Sequence, residues 1–139
     1  PMLLSTDGGS YKWINKLAST IKFNEEVYGA SKARAYDPTI NEHKLVQVID
    51  RQDFKGEDVL VVDDLSVFGG TFLGLSKMLK ERNVGKIFLA VSHITVPNPN
   101  IALDMAYERI YCTNSKYDSY ELKNLTIFNW KMCLNSLNI

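Results

Sequence analysis

One segment restricts the possible folds of this chain more than any other. Residues 59–71 read VLVVDDLSVFGGT. Four consecutive apolar residues are typical of a strand that is buried on both faces of a parallel sheet. Two carboxylates and a glycine-containing turn follow, and apolar residues at helical spacing begin at Phe72. Strand, turn and helix in this order indicate an α/β domain, in which ligands bind at the carboxyl ends of the strands.

The rest of the chain repeats this alternation of short apolar runs and helix-like runs. Strands are predicted at 2–5, 27–30, 59–62, 87–91, 109–112 and 125–128, and helices at 13–21, 72–82, 101–107 and 129–137. Residues 31–45 are polar and contain Pro38, so a loop is predicted there, with an extended flap at 45–49. The pattern predicts a doubly wound, mainly parallel sheet with helices on both faces.

Composition excludes several classes of protein. The 139 residues suit a single domain, 1–139. Sixteen basic and sixteen acidic side chains cancel, which argues against a nucleic-acid partner. Apolar runs stay well short of the ~20 residues that cross a membrane, so we expect no membrane partner and a cytoplasmic location. Cys112 and Cys133 form no short-spaced motif, and we expect reduced thiols in or near the core.

The side chains around the central turn have a shared chemical use. Asp63 and Asp64 can accept hydrogen bonds from vicinal hydroxyls or hold Mg²⁺ through water. Gly69 and Gly70 allow the backbone to approach a ligand closely, and the N–H groups at a helix start favour an anion such as phosphate. Thr71 can cap the helix and offer a hydroxyl to a phosphate oxygen. The alternative is a plain strand-to-helix turn that is rich in aspartate and glycine.

This segment resembles the motif with which type I phosphoribosyltransferases bind phosphoribosyl pyrophosphate (PRPP). The resemblance implies that Asp63 and Asp64 bind the 2′ and 3′ hydroxyls of a ribose. It also implies that the following turn binds the 5′ substituent of the sugar, through Ser66, Val67, Phe68, Gly69, Gly70 and Thr71.

A second segment narrows the resemblance to the PRPP synthetases, also called ribose-phosphate pyrophosphokinases. Residues 5–12 read STDGGSYK and resemble the pyrophosphate loop of those enzymes. In such a loop Gly8 and Gly9 can turn their N–H groups toward a diphosphate, and Asp7 can reach Mg²⁺. The alternative is a loop that ends in an ordinary helix cap.

Three shorter segments follow in the same order as in that family. Lys32 and Arg34 resemble the Lys-x-Arg of its flexible catalytic loop, where the cations would stabilise phosphate charge during transfer; the alternative is a pair of solvated cations. His93 ends a predicted strand as a Thr-His pair does in the synthetases, although it could be a structural histidine. Residues 113–115 resemble their Thr-Asn-Thr.

The resemblance implies an enzyme that transfers diphosphate from ATP to C1 of ribose 5-phosphate with Mg²⁺. Residues 1–139 would be the C-terminal half of a two-domain chain, and the other half would supply the pocket for the purine of ATP. A homo-oligomer, at least a dimer, is implied as well. Two alternatives stay open: a phosphoribosyltransferase that uses PRPP and a nucleobase, and a non-catalytic regulatory homologue.

The chain departs from the family pattern at two positions before the glycine pair. Phe68 stands where the family usually has threonine, and Val67 where many members have an acid. One hypothesis is that the sugar carries a larger 5′ substituent, as in ADP-ribose, and that Phe68 lines its pocket or stacks on a base. The other is that Phe68 turns into the core while residues 69–71 hold the phosphate.

Overall fold

A parallel sheet forms the centre of the domain. The computed structural model describes residues 1–66 and 69–132, with only the backbone described in residues 44–46. Within these ranges the strands are β1 (Met2–Ser5), β2 (Val27–Gly29), β3 (Ser31–Asp37), β4 (Glu42–Val48), β5 (Val59–Ser66), β6 (Ile87–Ile94), β7 (Arg109–Thr113) and β8 (Leu125–Phe128). The helices are α1 (Gly8–Thr20), α2 (Gly70–Glu81) and α3 (Leu103–Ala106). The sheet order is β2-β1-β5-β6-β7-β8, and each neighbouring pair is parallel.

Helices α1 and α2 cover opposite faces of this sheet. The chain moves outward in one direction from β1 to β2 and in the other from β5 to β6. Right-handed crossovers therefore place the two connecting helices on different faces. Successive side chains of a strand alternate between these faces: Leu3 packs with Ile14 of α1, whereas Leu4 belongs to the larger cluster that contains Leu75 of α2. The predicted doubly wound architecture is confirmed.

The prediction of a loop over residues 31–45 is wrong. Strands β3 and β4 form an antiparallel hairpin in which Ser31 lies opposite Val48 and Asp37 opposite Glu42. Most of the described side chains in this hairpin are exposed. Because it buries little apolar surface, it lacks the alternation of apolar and polar residues by which a strand is predicted. The predicted flap at 45–49 overlaps β4.

The other predicted elements are present: β1 and β8 have the predicted ends, and the ends of the others are shifted. Strand β5 continues to Ser66, so the acidic pair lies inside its strand rather than after it, and β6 continues to Ile94, one residue beyond His93. Helix α3 is shorter than predicted. The helix predicted at 129–137 begins at Trp130, and residues 133–139 lie outside the described residues. No helix within the described ranges has the length and apolar character of a membrane span.

Two arginines fix the segment that returns from the hairpin to β5. The guanidinium of Arg51 lies 5.3 Å from the ring centre of Tyr28 and 5.1 Å from that of Phe54, and Nη1 donates to Glu26 at 3.1 Å. Nη1 of Arg82, at the end of α2, donates to the Arg51 carbonyl at 2.8 Å. The base of the hairpin is therefore tied to the core by cation–π contacts and hydrogen bonds.

Candidate functional site

The acidic pair, inside β5, lies beside the point where β1 ends. Ser5 of β1 is in register with Val62 of β5, so Thr6 and Asp63 are neighbours. The Thr6 hydroxyl donates to Oδ2 of Asp63, and the backbone N–H of Asp64 donates to Oδ1 at 2.8 Å. Both oxygens of Asp63 are thereby oriented, while Asp64 is exposed.

Burial raises the pKa of the Asp63 carboxyl above its ordinary value of 3.8. Desolvation is the largest cause, because it disfavours the charged form. The hydrogen bonds from Thr6 and from the Asp64 N–H oppose this rise in pKa, since they stabilise the carboxylate. A hydroxyl pair of a ligand that donates to Asp63 and Asp64 would stabilise the carboxylates in the same way.

The glycines after β1 belong to a helix rather than to a loop. Asp7 is the N-cap of α1: its Oδ1 accepts from the Ser10 N–H at 2.8 Å, and the Ser10 side chain closes a capping box. Gly8 and Gly9 form the exposed first turn. The Ser10 N–H is the main cause of the lowered pKa of Asp7, to which the nearby Lys32 also contributes. The alternative reading of residues 5–12 as a helix cap is therefore correct for Asp7, and the turn still directs N–H groups to the carboxyl edge of the sheet.

The second helix start, that of α2, has a different cap. Gly69 is the N-cap, with φ +84°, and the helix has neither a side-chain cap hydrogen bond nor an acidic residue in its first turn. Thr71 does not cap the helix, so that part of the prediction is wrong; it lies exposed in the first turn, after the exposed Gly70. A helix start without a side-chain cap, whose first residues are exposed, is suited to an anion.

Of the residues that precede Gly69 in the turn, Ser66 is buried. Ser66 is 2% exposed, and its hydroxyl finds no hydrogen-bond partner among the described residues. Its carbonyl accepts from the Thr95 N–H at 2.9 Å. Val67 and Phe68 lie outside the described residues.

The hairpin brings one of its predicted cations to the first helix start. Nζ of Lys32 lies 3.8 Å from Oδ2 of Asp7. Arg34 lies two residues further along β3 on the same face, because side chains alternate along a strand. The hairpin is continuous with β2, which pairs with β1, so its cations approach the site from the β1 side.

The predicted segment that ends at His93 contacts the predicted segment 113–115. Nδ1 of His93 lies 2.5 Å from the Ser115 hydroxyl, and the Thr113 hydroxyl donates to the Ser92 carbonyl at 2.7 Å. These contacts join the ends of β6 and β7 next to the acidic strand. They support the structural interpretation of His93, whose side chain is only partly exposed.

The carboxylates suit a cation that is shared with a ligand. Within the described residues no group of three or more His, Cys, Asp and Glu side chains could hold a metal ion. Mg²⁺ usually keeps several waters and takes one or two carboxylates together with substrate phosphates. The helix cap uses Oδ1 of Asp7 and leaves Oδ2, so Asp7 could serve as one of these carboxylate ligands.

Two residues at the site were not identified from the sequence. Thr6 has no role predicted from the sequence, yet its hydroxyl orients Asp63. Gln47 lies opposite Lys32 in the hairpin, and both polar atoms of its side chain are shielded from solvent without a hydrogen-bond partner among the described residues. Only the register of two strand pairs reveals these positions, and a single sequence carries no direct signal of register.

Comparison with known proteins gives one matching family and several relatives. The model of the family described as phosphoribosyl transferase domain matches residues 1–132. A ribose-phosphate pyrophosphokinase of Chlorobaculum tepidum is 28% identical over 92% of the chain and 39% of its own length. Another, from Prochlorococcus marinus, is 24% identical over 82% of the chain and 40% of its own length. The chain thus spans about two fifths of these curated relatives.

Solved structures share the fold at low sequence identity. A purine phosphoribosyltransferase from Pyrococcus horikoshii superimposes with a TM-score of 0.51 and 16% identity, over 92% of the chain and 74% of its own. A hypoxanthine phosphoribosyltransferase from Staphylococcus aureus has a TM-score of 0.51 and 14% identity, over 91% of the chain and 60% of its own. At this identity the similarity concerns the fold alone.

Proposed function

The chain belongs to the phosphoribosyl transferase domain family, and from that premise we propose that it is the sugar-phosphate-binding half of a ribose-phosphate pyrophosphokinase. The two curated relatives carry that name and are about two and a half times as long as the matched segment. In this proposal residues 1–139 form the C-terminal domain of a two-domain chain. The substrates are ATP and a ribose that carries a 5′ phosphate or a larger 5′ group.

One observation carries the proposal: the acidic pair, two helix starts and a lysine meet at one edge of the sheet. Asp63 lies next to Thr6, directly before the cap of α1. Lys32 reaches Asp7 from the hairpin. A phosphorylated sugar that receives a diphosphate needs hydroxyl acceptors between two anion sites, and this edge offers that arrangement.

The reaction requires positioning more than covalent chemistry. The oxygen of the ribose 1-hydroxyl forms a bond to the β-phosphorus of ATP, the bond from that phosphorus to the α,β-bridging oxygen breaks, AMP leaves, and the hydroxyl proton is released. Asp63 and Asp64 orient the sugar by accepting from its 2′ and 3′ hydroxyls. Lys32 and Arg34 stabilise charge on the transferred group, which accounts for much of the catalysis in phosphoryl transfer.

The two anion sites would divide the ligand between them. The first turn of α1, with Gly8 and Gly9, would hold the diphosphate, and Asp7 would share Mg²⁺ with it. Bound there, Mg²⁺ would neutralise part of the phosphate charge. The first turn of α2, from Gly69 to Thr71, would hold the 5′ substituent.

The proposal is tested by calorimetric titration with ribose 5-phosphate, ADP-ribose and PRPP in the presence of Mg²⁺. We expect binding by the unmodified chain and loss of binding in the Asp63→Asn/Asp64→Asn variant. A matched control is Glu81→Gln/Glu108→Gln, which removes the same charge from exposed carboxylates at the amino-terminal edge of the sheet. Unchanged binding in the aspartate variant would refute the sugar site.

The ligand preference and the products separate the finer alternatives. Release of AMP from ATP in the presence of a ribose phosphate supports the pyrophosphokinase, whereas release of diphosphate from PRPP with a nucleobase supports a phosphoribosyltransferase. Binding without either reaction supports a regulatory homologue. Tighter binding of ADP-ribose than of ribose 5-phosphate supports the larger 5′ group.

A further inference from the structure

An exposed pair of aromatic rings lies near the tip of the β3–β4 hairpin. Tyr36 and His43 face each other across the two strands, with ring centres 5.5 Å apart and planes inclined by 64°. Tyr36 is 55% exposed, and His43 is exposed as well. A rigid aromatic surface of this kind can stack against another planar group.

The pair lies on the same face of the hairpin as the two cations. Residues two apart in a strand share a face, so Lys32, Arg34 and Tyr36 point to one side of β3. This side faces the start of α1 at its base, because Nζ of Lys32 lies 3.8 Å from Asp7. Gln47, opposite Lys32, belongs to the same face and has no hydrogen-bond partner among the described residues. The face therefore presents two cations followed by two rings, above a buried amide.

The spacing of these groups corresponds to that of a nucleoside triphosphate. Tyr36 lies four positions beyond Lys32 along the strand, which is about 13 Å at ~3.3 Å per residue. This span is comparable to the distance from the phosphates to the base in an extended nucleotide. Cations beside Asp7 would contact the phosphates, and the rings would lie at the level of the base.

We propose that the ring of Tyr36, supported by His43, is a stacking surface for the purine base of the diphosphate donor. The inference rests on the proposed function, which supplies ATP as that donor. It adds a base contact from this half of the enzyme, next to the purine pocket that the family resemblance assigns to the other half.

The order of the strands assigns the surface to the donor rather than to the sugar acceptor. The hairpin follows β2 at one edge of the sheet, and β2 lies beside β1, whose end leads into the turn proposed to hold the diphosphate. The turn proposed for the 5′ substituent follows β5, on the far side of β1. A base attached to the diphosphate therefore lies nearer the hairpin than does a base attached to the 5′ end of the sugar.

The tip of the hairpin is held in place before any ligand arrives. The Tyr36 hydroxyl donates to Oδ1 of Asn41, and the backbone N–H of Thr39 donates to Oδ1 of Asp37 at 3.0 Å. These bonds restrain the tyrosine ring and the turn, so stacking costs little conformational entropy. A cross-strand aromatic pair can also stabilise a hairpin without contacting any ligand, and the experiment has to separate the two roles.

The test compares ATP with inorganic tripolyphosphate, both with Mg²⁺, in calorimetric titrations of the Tyr36→Leu variant. Tripolyphosphate carries the phosphates without the base. Because stacking on an aromatic ring contributes substantially per base, we expect ATP to bind roughly tenfold more weakly. Binding of tripolyphosphate should change less than about twofold. The Tyr36→Phe variant keeps the ring and loses the bond to Asn41, and it should retain most of the ATP affinity.

A matched control is Tyr117→Leu, in an aromatic pair near the far end of the sheet, where Tyr117 and Tyr120 are 5.8 Å apart. It should leave both affinities unchanged. Equal weakening of ATP and tripolyphosphate by Tyr36→Leu would assign the ring a purely structural role and overturn the inference. Unchanged ATP affinity would overturn it too, while the proposed function would stand. Failure of the unmodified chain to bind either compound would instead refute the donor assignment itself.

Discussion

At Gly69 the fold and the candidate site depend on the same residue. Its φ of +84° lies in the left-handed region, and a Cβ at this position would lie 2.7 Å from Cδ1 of Leu103, a residue that is 1% exposed. Gly69→Ala therefore forces both a strained backbone and an overlap with a buried side chain. Gly74, in the interior of α2, is the matched control, because a Cβ there meets nothing within 4 Å.

The same glycine-to-alanine substitution at positions 69 and 74 should change the free energy of unfolding in opposite directions. The left-handed conformation costs a non-glycine residue about 1–2 kcal/mol, and overpacking against the core costs about 1–3 kcal/mol. Gly69→Ala should therefore lower the free energy of unfolding by about 2–5 kcal/mol. Gly74→Ala should raise it by about 0.5–1 kcal/mol, because alanine is the better residue inside a helix.

Urea denaturation followed by circular dichroism measures both free energies. A Leu103→Ala substitution in the Gly69→Ala background should cost less than it does alone, since it removes the overlap, with a coupling of about 0.5–3 kcal/mol. If Gly69→Ala left the free energy of unfolding within about 0.5 kcal/mol of the unmodified chain, the argument from strain and overlap would be wrong. Additive effects of the two substitutions would refute the overlap alone.

Three further predictions concern buried polar groups. Tyr107→Phe removes a buried hydroxyl that donates to the Phe72 carbonyl at 2.7 Å, and calorimetry should show a loss of about 1 kcal/mol. Asp63→Asn should stabilise the fold increasingly as the pH rises from 3.8 through the raised pKa, because the charged carboxylate that burial disfavours then accumulates; a constant difference in urea denaturation across this window would contradict it. Burial raises the pKa of Cys112 to about 11, so in a Cys133→Ser variant Ellman's reagent should react slowly at pH 8 and rapidly in denaturant; fast native labelling would show that the thiol is accessible.

The central sheet could be predicted from the sequence because its strands are buried on both faces. Continuous apolar runs such as residues 59–62 need no partner to be recognised. The β3–β4 hairpin could not, because its strands expose most of their side chains and their pairing depends on contacts between distant residues. The sequence does not show that Tyr36 and His43 form a pair, because this depends on the register of the two strands.

The residue types of the site were predictable, whereas their arrangement was not. The two aspartates and the glycine pair form a local motif, so their proximity follows from the chain itself. Thr6 contacts Asp63 across 57 positions of sequence, and Lys32 reaches Asp7 only because the hairpin follows the strand beside β1. Such contacts depend on strand order and register, which a single sequence specifies only indirectly.

Residues that build the site and residues that act in it should respond differently to substitution. Gly69 builds it: replacing it should lower stability and ligand affinity together, because the same backbone conformation supports the packing of Leu103 and starts α2. In the proposed function Asp63 acts in it: its carboxylate is partly desolvated, so asparagine should raise stability, while an amide nitrogen that cannot accept from a sugar hydroxyl replaces one of the two acceptor oxygens. Local features that lower stability persist mainly where function requires them. Opposite changes of stability and affinity at Asp63, beside parallel losses at Gly69, would therefore identify the aspartate as a ligand-binding group by a criterion that does not depend on any family resemblance.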